Sequence, residues 1–327
     1  MPPLLHVKDL KTHYFGFQGT RVVKAVDGIS FSLEAGQTFG LVGESGCGKT
    51  TTCHSIVRLL PPSAEIVSGR IELAGEDLVS KSRREMQKVR GRQIATILQD
   101  PMASLDPLFS IYNQVAEPAY YHQALRGSKL SHRVKQLLAA VRIPSPDARM
   151  KEYPHQMSGG MRQRIVGAVA QAGGPKIIIA DEPTTNLDVT IQLQYLNLLK
   201  DLQRASGVAL IFVTHNLGIV AKMCDKVAVM YAGKIVEMQS VRGLFYHPRH
   251  PYTKALLDSM PKLGTKEPLY GIPGQPPDLA NLPTGCSFHP RCQHAFERCR
   301  SQEPDEQSTE NGGTARCWLV SEEIARE

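Results

Sequence analysis

A glycine-rich loop constrains the fold of this chain more than any other feature. Residues Gly43-Glu44-Ser45-Gly46-Cys47-Gly48-Lys49-Thr50 lie between an apolar run, Thr38–Val42, and a helix-forming stretch, Thr50–Leu60. A loop of this kind between a strand and a helix directs backbone N–H groups and the positive end of the helix dipole toward an anion. The pattern predicts a phosphate-binding loop within an α/β fold.

Residues of this loop have separate expected roles. Gly43 and Gly48 let the backbone wrap around a phosphate, and Lys49 adds a mobile positive charge for the β- and γ-phosphates. The hydroxyl of Thr50 is suited to ligate Mg²⁺. A nucleotide and Mg²⁺ are therefore the expected ligands, with nucleotide contacts extending to Thr51.

The chain alternates short apolar runs with amphipathic stretches as far as about residue 237, which is typical of α/β proteins with a largely parallel core sheet. Strands are predicted on both sides of the loop, at His6–Leu10, Val22–Val26, Phe31–Leu33, Ile94–Leu98, Ile177–Ala180 and Val208–Thr214. Helices are predicted over most of residues 112–171, at Val189–Arg204 and at Tyr252–Ser259. Residues 240–327 are rich in Pro and Gly, which predicts a small appended domain.

An acidic pair follows one of the buried strands. Asp181 ends the run Ile177–Ala180, where a charge needs a partner, and a Mg²⁺-bound water is the natural one. Glu182 comes next and is predicted to orient the attacking water or to act as its general base.

A third motif, Met157-Ser158-Gly159-Gly160-Met161-Arg162-Gln163-Arg164, lies between the loop and the acidic pair. With both of them it resembles the ATPase subunit of an ABC transporter. The resemblance implies a mixed-sheet core with an inserted helical lobe at about residues 108–172, within a nucleotide-binding domain of residues 1–240. In that family the Ser-Gly-Gly loop caps the ATP held by a second subunit, so Ser158, Gly159 and Gly160 imply a dimer.

The resemblance also assigns roles to single residues. Gln99 would touch Mg²⁺ and the lytic water, and His215, after the strand Val208–Thr214, would contact the γ-phosphate. Tyr14 matches the aromatic residue that stacks on adenine, although Phe15 and Phe17 are close to it.

A further segment, Asn186-Leu187-Asp188, resembles the loop that crosses the dimer interface, and Asp188 is expected beside the nucleotide. The family often has a small residue where Asn186 stands.

Three more stretches resemble dipeptide/oligopeptide importer ATPases. Gln99–Pro107 matches the segment that receives the permease's coupling helix, and His250–Leu257 matches the start of a C-terminal extension, here residues 241–327. Pro283–Cys292, with Cys299 and Cys317, matches the cysteine motif of that extension. The implied partners are two membrane permeases, a second ATPase subunit that is a sister chain, and an extracytoplasmic binding protein.

The cysteines Cys286, Cys292, Cys299 and Cys317 are separated by five, six and seventeen residues. These intervals do not fit the two-residue knuckles of structural zinc sites. The resemblance implies a [4Fe-4S] cluster on the four thiolates. Zinc and unligated buried cysteines remain alternatives at this point.

The sequence contains no apolar stretch of the roughly 18 residues that a membrane span needs and no signal peptide at its start. The expected location is therefore the cytoplasmic face of the membrane, with partners providing attachment. The net charge of +7 would attract anionic partners such as ATP, RNA or an anionic membrane surface. Alternatively, it reflects only a solvated basic surface.

The sequence thus predicts an ATP-hydrolysing subunit that energises the uptake of di- or oligopeptides. Related importers of nickel chelates, glutathione, opines or oligosaccharides are an alternative. A soluble ABC ATPase acting on nucleic acid is a weaker one, because the chain has a single ATPase core and only 108 residues between Lys49 and Ser158. No nucleic-acid partner is expected.

Overall fold

The computed structural model describes residues 2–16, 19–100, 104–185, 187–261, 271–310 and 312–320. These residues form two compact units. The first unit comprises residues 1–32, 39–79 and 214–327, and the second comprises residues 33–38 and 80–213. No helix among the described residues is both long and apolar enough to cross a membrane.

The strands, in chain order, are β1 (Leu5–Gly16), β2 (Arg21–Leu33), β3 (Thr38–Val42), β4 (Ala64–Leu73), β5 (Glu76–Asp77), β6 (Ile94–Ile97), β7 (Ile177–Asp181), β8 (Ala209–Thr214), β9 (Lys226–Tyr231), β10 (Lys234–Ser240), β11 (Gln307–Ser308) and β12 (Thr314–Ala315). The α-helices are α1 (Lys49–Val57), α2 (Arg83–Val89), α3 (Ile111–Gln123), α4 (Gly127–Ala140), α5 (Pro146–Arg149), α6 (Gly159–Ala172), α7 (Val189–Ser206), α8 (Leu217–Met223), α9 (Val241–Tyr246), α10 (Pro251–Asp258) and α11 (Glu297–Ser301). Short 3₁₀ turns occur at Pro154–Gln156 and His289–Arg291.

The first unit contains an antiparallel sheet and part of a mixed sheet. The antiparallel sheet has the order β2-β1-β4-β5, and Leu5 pairs with Leu73 at one end of the β1–β4 ladder. In the mixed sheet β3 runs parallel to β9, β9 is antiparallel to β10, and β10 continues through β12 to β11. All five residues of β3 are buried, as expected for a strand covered on both faces.

The second unit is built on parallel strands in the order β8-β7-β6. All residues of β7 and β8 are buried, so the apolar runs of the sequence become the core of this unit. The helix α3 packs on α4 and α6, and α6 packs on β6. The helical character predicted for residues 112–171 is confirmed.

Some local predictions differ from the structure. The strands expected at Val22–Val26 and Phe31–Leu33 form the single strand β2, which passes through Gly28 at φ +82° without leaving the sheet. The strands β4 and β5 and the helix α2 were not predicted. In β4 only Ile71 and Leu73 are buried, and the alternation of more and less exposed residues is broken at Ser68, which weakens the period-2 signal of a half-buried strand.

A separate appended domain after residue 240 is not confirmed. The described residues beyond 240 belong to the same compact unit as the phosphate loop. The short strand β12 pairs with β10, with Thr314 opposite Met238. The rings of Tyr252 and Phe288 pack on Tyr231, with centroid distances of 4.6 and 5.2 Å. This segment therefore shares a core with the sheet, which a Pro-rich composition does not reveal.

Candidate functional site

The glycine-rich loop connects β3 to α1, as predicted. Gly43 has φ +154° and Gly48, the N-cap of α1, has φ +108°. A Cβ atom on Gly43 would collide with the carbonyl of Met230, and one on Gly48 would collide with the carbonyl of Ala25. Only glycine fits at these two positions, because both the backbone conformation and the surrounding space exclude a side chain.

The side chain of Lys49 lies inside the loop and is 5% exposed. Its Nζ donates to the carbonyl oxygens of Gly43 and Glu44 at 2.8 and 2.9 Å. The loop is also fixed from outside, because the N–H of Gly233 donates to the carbonyl of Cys47 at 3.0 Å. A buried ammonium held by carbonyls at a helix start is suited to phosphate oxygens.

Tyr14 lies beside the first turn of α1. Its hydroxyl is 3.3 Å from the hydroxyl of Thr51. This brings the predicted adenine-stacking residue to the helix that follows the loop. Phe15 follows on the same strand, and Phe17 lies outside the described residues.

In the second unit Asp181 is the last residue of β7, and Glu182 follows it. Asp181 is 6% exposed. The N–H of Glu182 donates to the carbonyl of Val213 at 2.9 Å, and its Oε2 accepts from the hydroxyl of Thr185 at 3.0 Å. The amide of Gln99 also donates to this oxygen, at 3.4 Å. The structure therefore brings the predicted residues Gln99 and Glu182 together, while the role of Glu182 toward water stays a prediction.

The backbone of Glu182 is strained. It has φ +44°, a left-handed conformation that costs a non-glycine residue on the order of 1–3 kcal/mol. The next residue, Pro183, is held by the buried side chain of Gln163, which is 1% exposed. The Nε2 of Gln163 donates to the carbonyl of Pro183 at 2.6 Å. Gln163 lies within the Ser-Gly-Gly motif, but no role was predicted for it. Such residues can be found only once the two segments are seen in contact.

The Ser-Gly-Gly motif opens the helix α6. Ser158 is its N-cap and accepts from the N–H of Met161 at 3.3 Å. Gly159 has open space around its α-carbon, and a Cβ on Gly160 would meet Ile191 at 3.1 Å. The geometry gives the motif an exposed helix start, while its predicted contact with a nucleotide stays a prediction.

Two further predicted residues stand next to helix starts. Asp188 is the N-cap of α7, where its Oδ1 accepts from the N–H groups of Thr190 and Ile191, each at 3.0 Å. His215 follows β8 and is exposed, and Asn216 then caps α8. Asn186 lies outside the described residues.

The predicted residues thus fall into two sets. The loop with Lys49, Tyr14 and His215 belongs to the first unit. The second unit holds Gln99, Ser158, Gly159, Gly160, Asp181, Glu182 and Asp188. Two residues beyond position 240, Tyr252 and Arg291, also contact the loop through Glu44, and the sequence patterns do not indicate either contact.

A cavity of about 630 Å³ lies in the second unit, lined among others by Leu105, Phe109, Tyr112, Tyr120 and Tyr121. Several apolar side chains at or beside this cavity are exposed to solvent. The exposed fraction is 81% for Leu108 and 71% for Tyr121. Apolar exposure on this scale typically marks a contact surface.

Gln114 holds the loop that precedes α3. Its side chain accepts from the N–H of Asp106 and donates to the carbonyls of Asp106 and Phe109, each at 2.9 Å. Residues 104–106 of the predicted permease-contact segment line the cavity, while Pro101, Met102 and Ala103 lie outside the described residues.

The four predicted cluster ligands lie in the first unit and form no disulfide. Burial, together with a smaller effect of the neighbouring cysteines, raises the pKa of Cys286 to about 11 and that of Cys317 to about 12. Among the described residues, no group of three or more His, Cys, Asp or Glu side chains is placed to hold a metal ion. Four thiol side chains are donors that suit a metal, but they do not form a group of this kind. The structure therefore does not support the predicted [4Fe-4S] cluster or the zinc alternative.

Two family models match the chain. The model described as ABC transporter matches residues 26–185, and the model described as oligopeptide/dipeptide transporter, C-terminal region, matches residues 236–299.

Curated relatives match over nearly the whole length. The chain is 46% identical over 321 residues to a dipeptide transport ATP-binding protein of Bacillus subtilis, which covers 98% of this chain and 95% of that one. It is 45% identical over 325 residues to an oligopeptide transport ATP-binding protein of Haemophilus influenzae, with 99% of both chains covered.

Solved structures match the larger part of the chain. The dimeric structure of MJ0796, a bacterial ABC transporter cassette, is 25% identical with a TM-score of 0.64, over 73% of this chain and 99% of that one. The structure of cbiO1 from Clostridium perfringens, part of an ABC transporter complex, is 27% identical with a TM-score of 0.65, over 76% of this chain and 92% of that one.

Proposed function

The chain belongs to the ATP-binding subunits of dipeptide and oligopeptide ABC transporters, and from this membership we propose that it energises the uptake of di- and oligopeptides through partner permeases. It has the ABC ATPase fold and is an ATPase. The observation that carries the substrate proposal is the identity of about 45% with peptide-transport subunits along the whole chain, including the C-terminal region. A non-peptide substrate is not favoured.

ATP would be bound by the glycine-rich loop. Lys49 and the backbone N–H groups of residues 43–50 hold the phosphates, and Tyr14 stacks on the adenine. Thr50, Gln99 and Asp181 would hold Mg²⁺, whose bound charge neutralises the phosphates. The support for these roles is the glycine-dependent loop and the burial of Lys49 and Asp181.

Glu182 would position the attacking water and accept its proton. Its carboxylate is oriented by Thr185 and by Gln99. His215, exposed at the end of β8, would contact the γ-phosphate. The strained backbone of Glu182 supports this assignment, because such strain is retained where it places a functional group.

Hydrolysis would require a second ATPase subunit. The helix start at Ser158, Gly159 and Gly160 is exposed and suited to cap ATP held by that subunit, with Asp188 beside it. The similar cassette MJ0796 has a dimeric structure. We propose a sister chain as the partner, so that the pair is a heterodimer.

Two permeases would receive the conformational change at the cavity near Phe109 and Tyr121, whose exposed apolar residues suit a helix from a membrane partner. This attachment would place the chain at the cytoplasmic face of the membrane. An extracytoplasmic binding protein would deliver the peptide.

We also propose residues 1–240 as the nucleotide-binding domain, with a helical subdomain at about 108–172, and residues 241–327 as a C-terminal extension. The separate family matches at 26–185 and 236–299 support this division. Within the extension, the four cysteines would take up a [4Fe-4S] cluster only after rearrangement. Iron and sulfide analysis of the anaerobically purified full chain tests this, since a chain without iron in which all seven cysteines titrate as free thiols contradicts it.

ATP hydrolysis by the assembled membrane complex tests the proposed function. We expect stimulation by a binding protein loaded with di- to pentapeptides and loss of hydrolysis in Glu182→Gln. Stimulation by a nickel chelate or oligosaccharide in place of peptides would contradict the substrate. Salt-dependent RNA or DNA binding without any assembly with permeases would contradict the transport role.

A further inference from the structure

Glu44, the second residue of the phosphate loop, is held through three of its groups. Its N–H donates to the hydroxyl of Tyr252 at 3.0 Å. Its carbonyl accepts from Lys49 Nζ at 2.9 Å. Its carboxylate accepts two bonds from the guanidinium of Arg291, at 2.7 Å on Oε2 and 3.1 Å on Oε1. Two of these three partners, Tyr252 and Arg291, come from the C-terminal extension.

The pair of Arg291 and Glu44 is directional and partly desolvated. The side chain of Arg291 is 4% exposed and that of Glu44 is 28% exposed. A buried guanidinium that loses its carboxylate is left with an uncompensated charge, and a two-bond pair fixes orientation as well as distance. The guanidinium is itself oriented, because its Nε donates to the carbonyl of Pro273 at 2.8 Å. Moving Glu44 away from the extension would therefore cost a large amount of free energy.

Tyr252 and Arg291 are both positioned by a cluster of packed aromatic rings. Tyr252, on α10, has its ring centroid 4.6 Å from Tyr231 and 5.3 Å from Phe288. Phe288 directly precedes the 3₁₀ turn that carries Arg291. The guanidinium lies 5.8 Å from the ring centroid of Tyr231. The three aromatic residues belong to one buried core, so Tyr252 and the turn that carries Arg291 are held in fixed positions beside Glu44.

The shape of the loop depends on Glu44. Its carbonyl and that of Gly43 hold the ammonium of Lys49, and its N–H begins the run of backbone groups that lead to α1. A change at Glu44 would therefore alter the position of Lys49 and of the neighbouring N–H groups, all of which are suited to phosphate oxygens.

We propose that Tyr252 and Arg291 are positioning residues of the ATP site, which act through Glu44 to keep the phosphate loop in the shape that receives the β- and γ-phosphates. This inference rests on the proposed binding of ATP at residues 43–50. Neither residue needs to touch the nucleotide. The C-terminal extension becomes a part of the ATP site rather than an accessory to it.

The test is the dissociation constant of a fluorescent ATP analogue, N-methylanthraniloyl-ATP, for the full-length chain with Mg²⁺. Arg291→Gln should weaken binding about tenfold and Tyr252→Phe about threefold, the ranges expected for losing a charged and a neutral hydrogen bond. Arg291→Lys, which keeps the charge, should restore part of the affinity. In a Glu44→Gln background Arg291→Gln should add little further loss, because its route to the loop is already broken.

Arg249→Gln is the matched control, since Arg249 belongs to the same extension and pairs with Glu310. A general weakening of the extension would lower ATP affinity by equal factors in the wild-type and Glu44→Gln backgrounds, and that result overturns the inference. Should Arg291→Gln not fold, Tyr252→Phe removes a single hydroxyl, and unchanged affinity in that variant also overturns it. A wild-type chain that does not bind the analogue would instead contradict the proposed function.

Discussion

His250 provides a pH-dependent test of how the extension is held. It is 1% exposed, and its Nδ1 accepts from the N–H of Tyr252 at 3.0 Å at the start of α10. Its own N–H donates to the carboxylate of Glu237 at 2.8 Å. Burial, together with a smaller effect of the charge of Lys254, lowers the pKa of His250 to about 3. Protonation would also break the bond to Tyr252, because Nδ1 would then be a donor.

The magnitude follows from the difference between the folded pKa of about 3 and the ordinary value of 6.5. Above pH 6.5 His250 is neutral in both states and its contribution to stability is fully present. Below pH 6.5 the unfolded chain binds a proton that the folded chain does not, so the free energy of unfolding falls by up to about 1.4 kcal/mol per pH unit. Between pH 7.5 and pH 5 the loss from this residue is about 2 kcal/mol.

The assay is urea unfolding of the full-length chain at pH 7.5 and pH 5, in wild type and in His250→Asn. Asparagine can still cap α10 but does not titrate, so the variant should lose about 2 kcal/mol less than wild type between the two pH values. Burial also lowers the pKa of His13 and of His122, and their contributions cancel in the comparison. The exposed residue His247, changed to Asn, is the control. An equal pH dependence in wild type and His250→Asn would refute the reasoning.

Three further substitutions have defined expected outcomes. Glu237→Gln should lower the free energy of unfolding by about 3 kcal/mol in urea titrations, because its buried carboxylate accepts from two backbone N–H groups at 2.8 Å and an amide has only one oxygen; an unchanged midpoint would contradict this. Gly43→Ala should abolish binding of the fluorescent ATP analogue, since its Cβ would collide with the carbonyl of Met230, and retained affinity would show that the loop can shift. Gln114→Leu removes the bonds that hold the loop before α3, so peptide-stimulated hydrolysis by the membrane complex should fall several-fold while hydrolysis without peptide stays constant; an equal fall in both rates would contradict a role in coupling.

The sequence predicted local features well where spacing along the chain fixes the geometry. The phosphate loop lies between β3 and α1 because strand, glycines and helix are consecutive. For the same reason Asp181 ends β7 and Glu182 follows it directly. The geometry of such motifs depends on the local backbone conformation of consecutive residues, so it can be predicted from a single sequence.

Contacts between distant segments were not predictable in this way. Glu44 and Arg291 are separated by 247 positions, and their pairing depends on how the extension packs on β9. Gln163 and Pro183 likewise meet only because α6 and the end of β7 are neighbours. The appended domain predicted from composition is likewise not confirmed, because the Pro-rich segment pairs β12 with β10 and packs Phe288 on Tyr231 within the first unit.

The positions of Glu237, His250 and Tyr252 explain why the extension is a fixed part of the first unit. The carboxylate of Glu237, on β10, holds the N–H of His250. His250 caps the helix that carries Tyr252, and the hydroxyl of Tyr252 accepts from Glu44. A chain of direct hydrogen bonds therefore runs from a sheet strand to the phosphate loop. Each of these residues is buried or partly buried, so removing one side chain leaves its neighbour with an unsatisfied hydrogen-bonding group. The lost hydrogen bond therefore destabilises the arrangement that holds the phosphate loop.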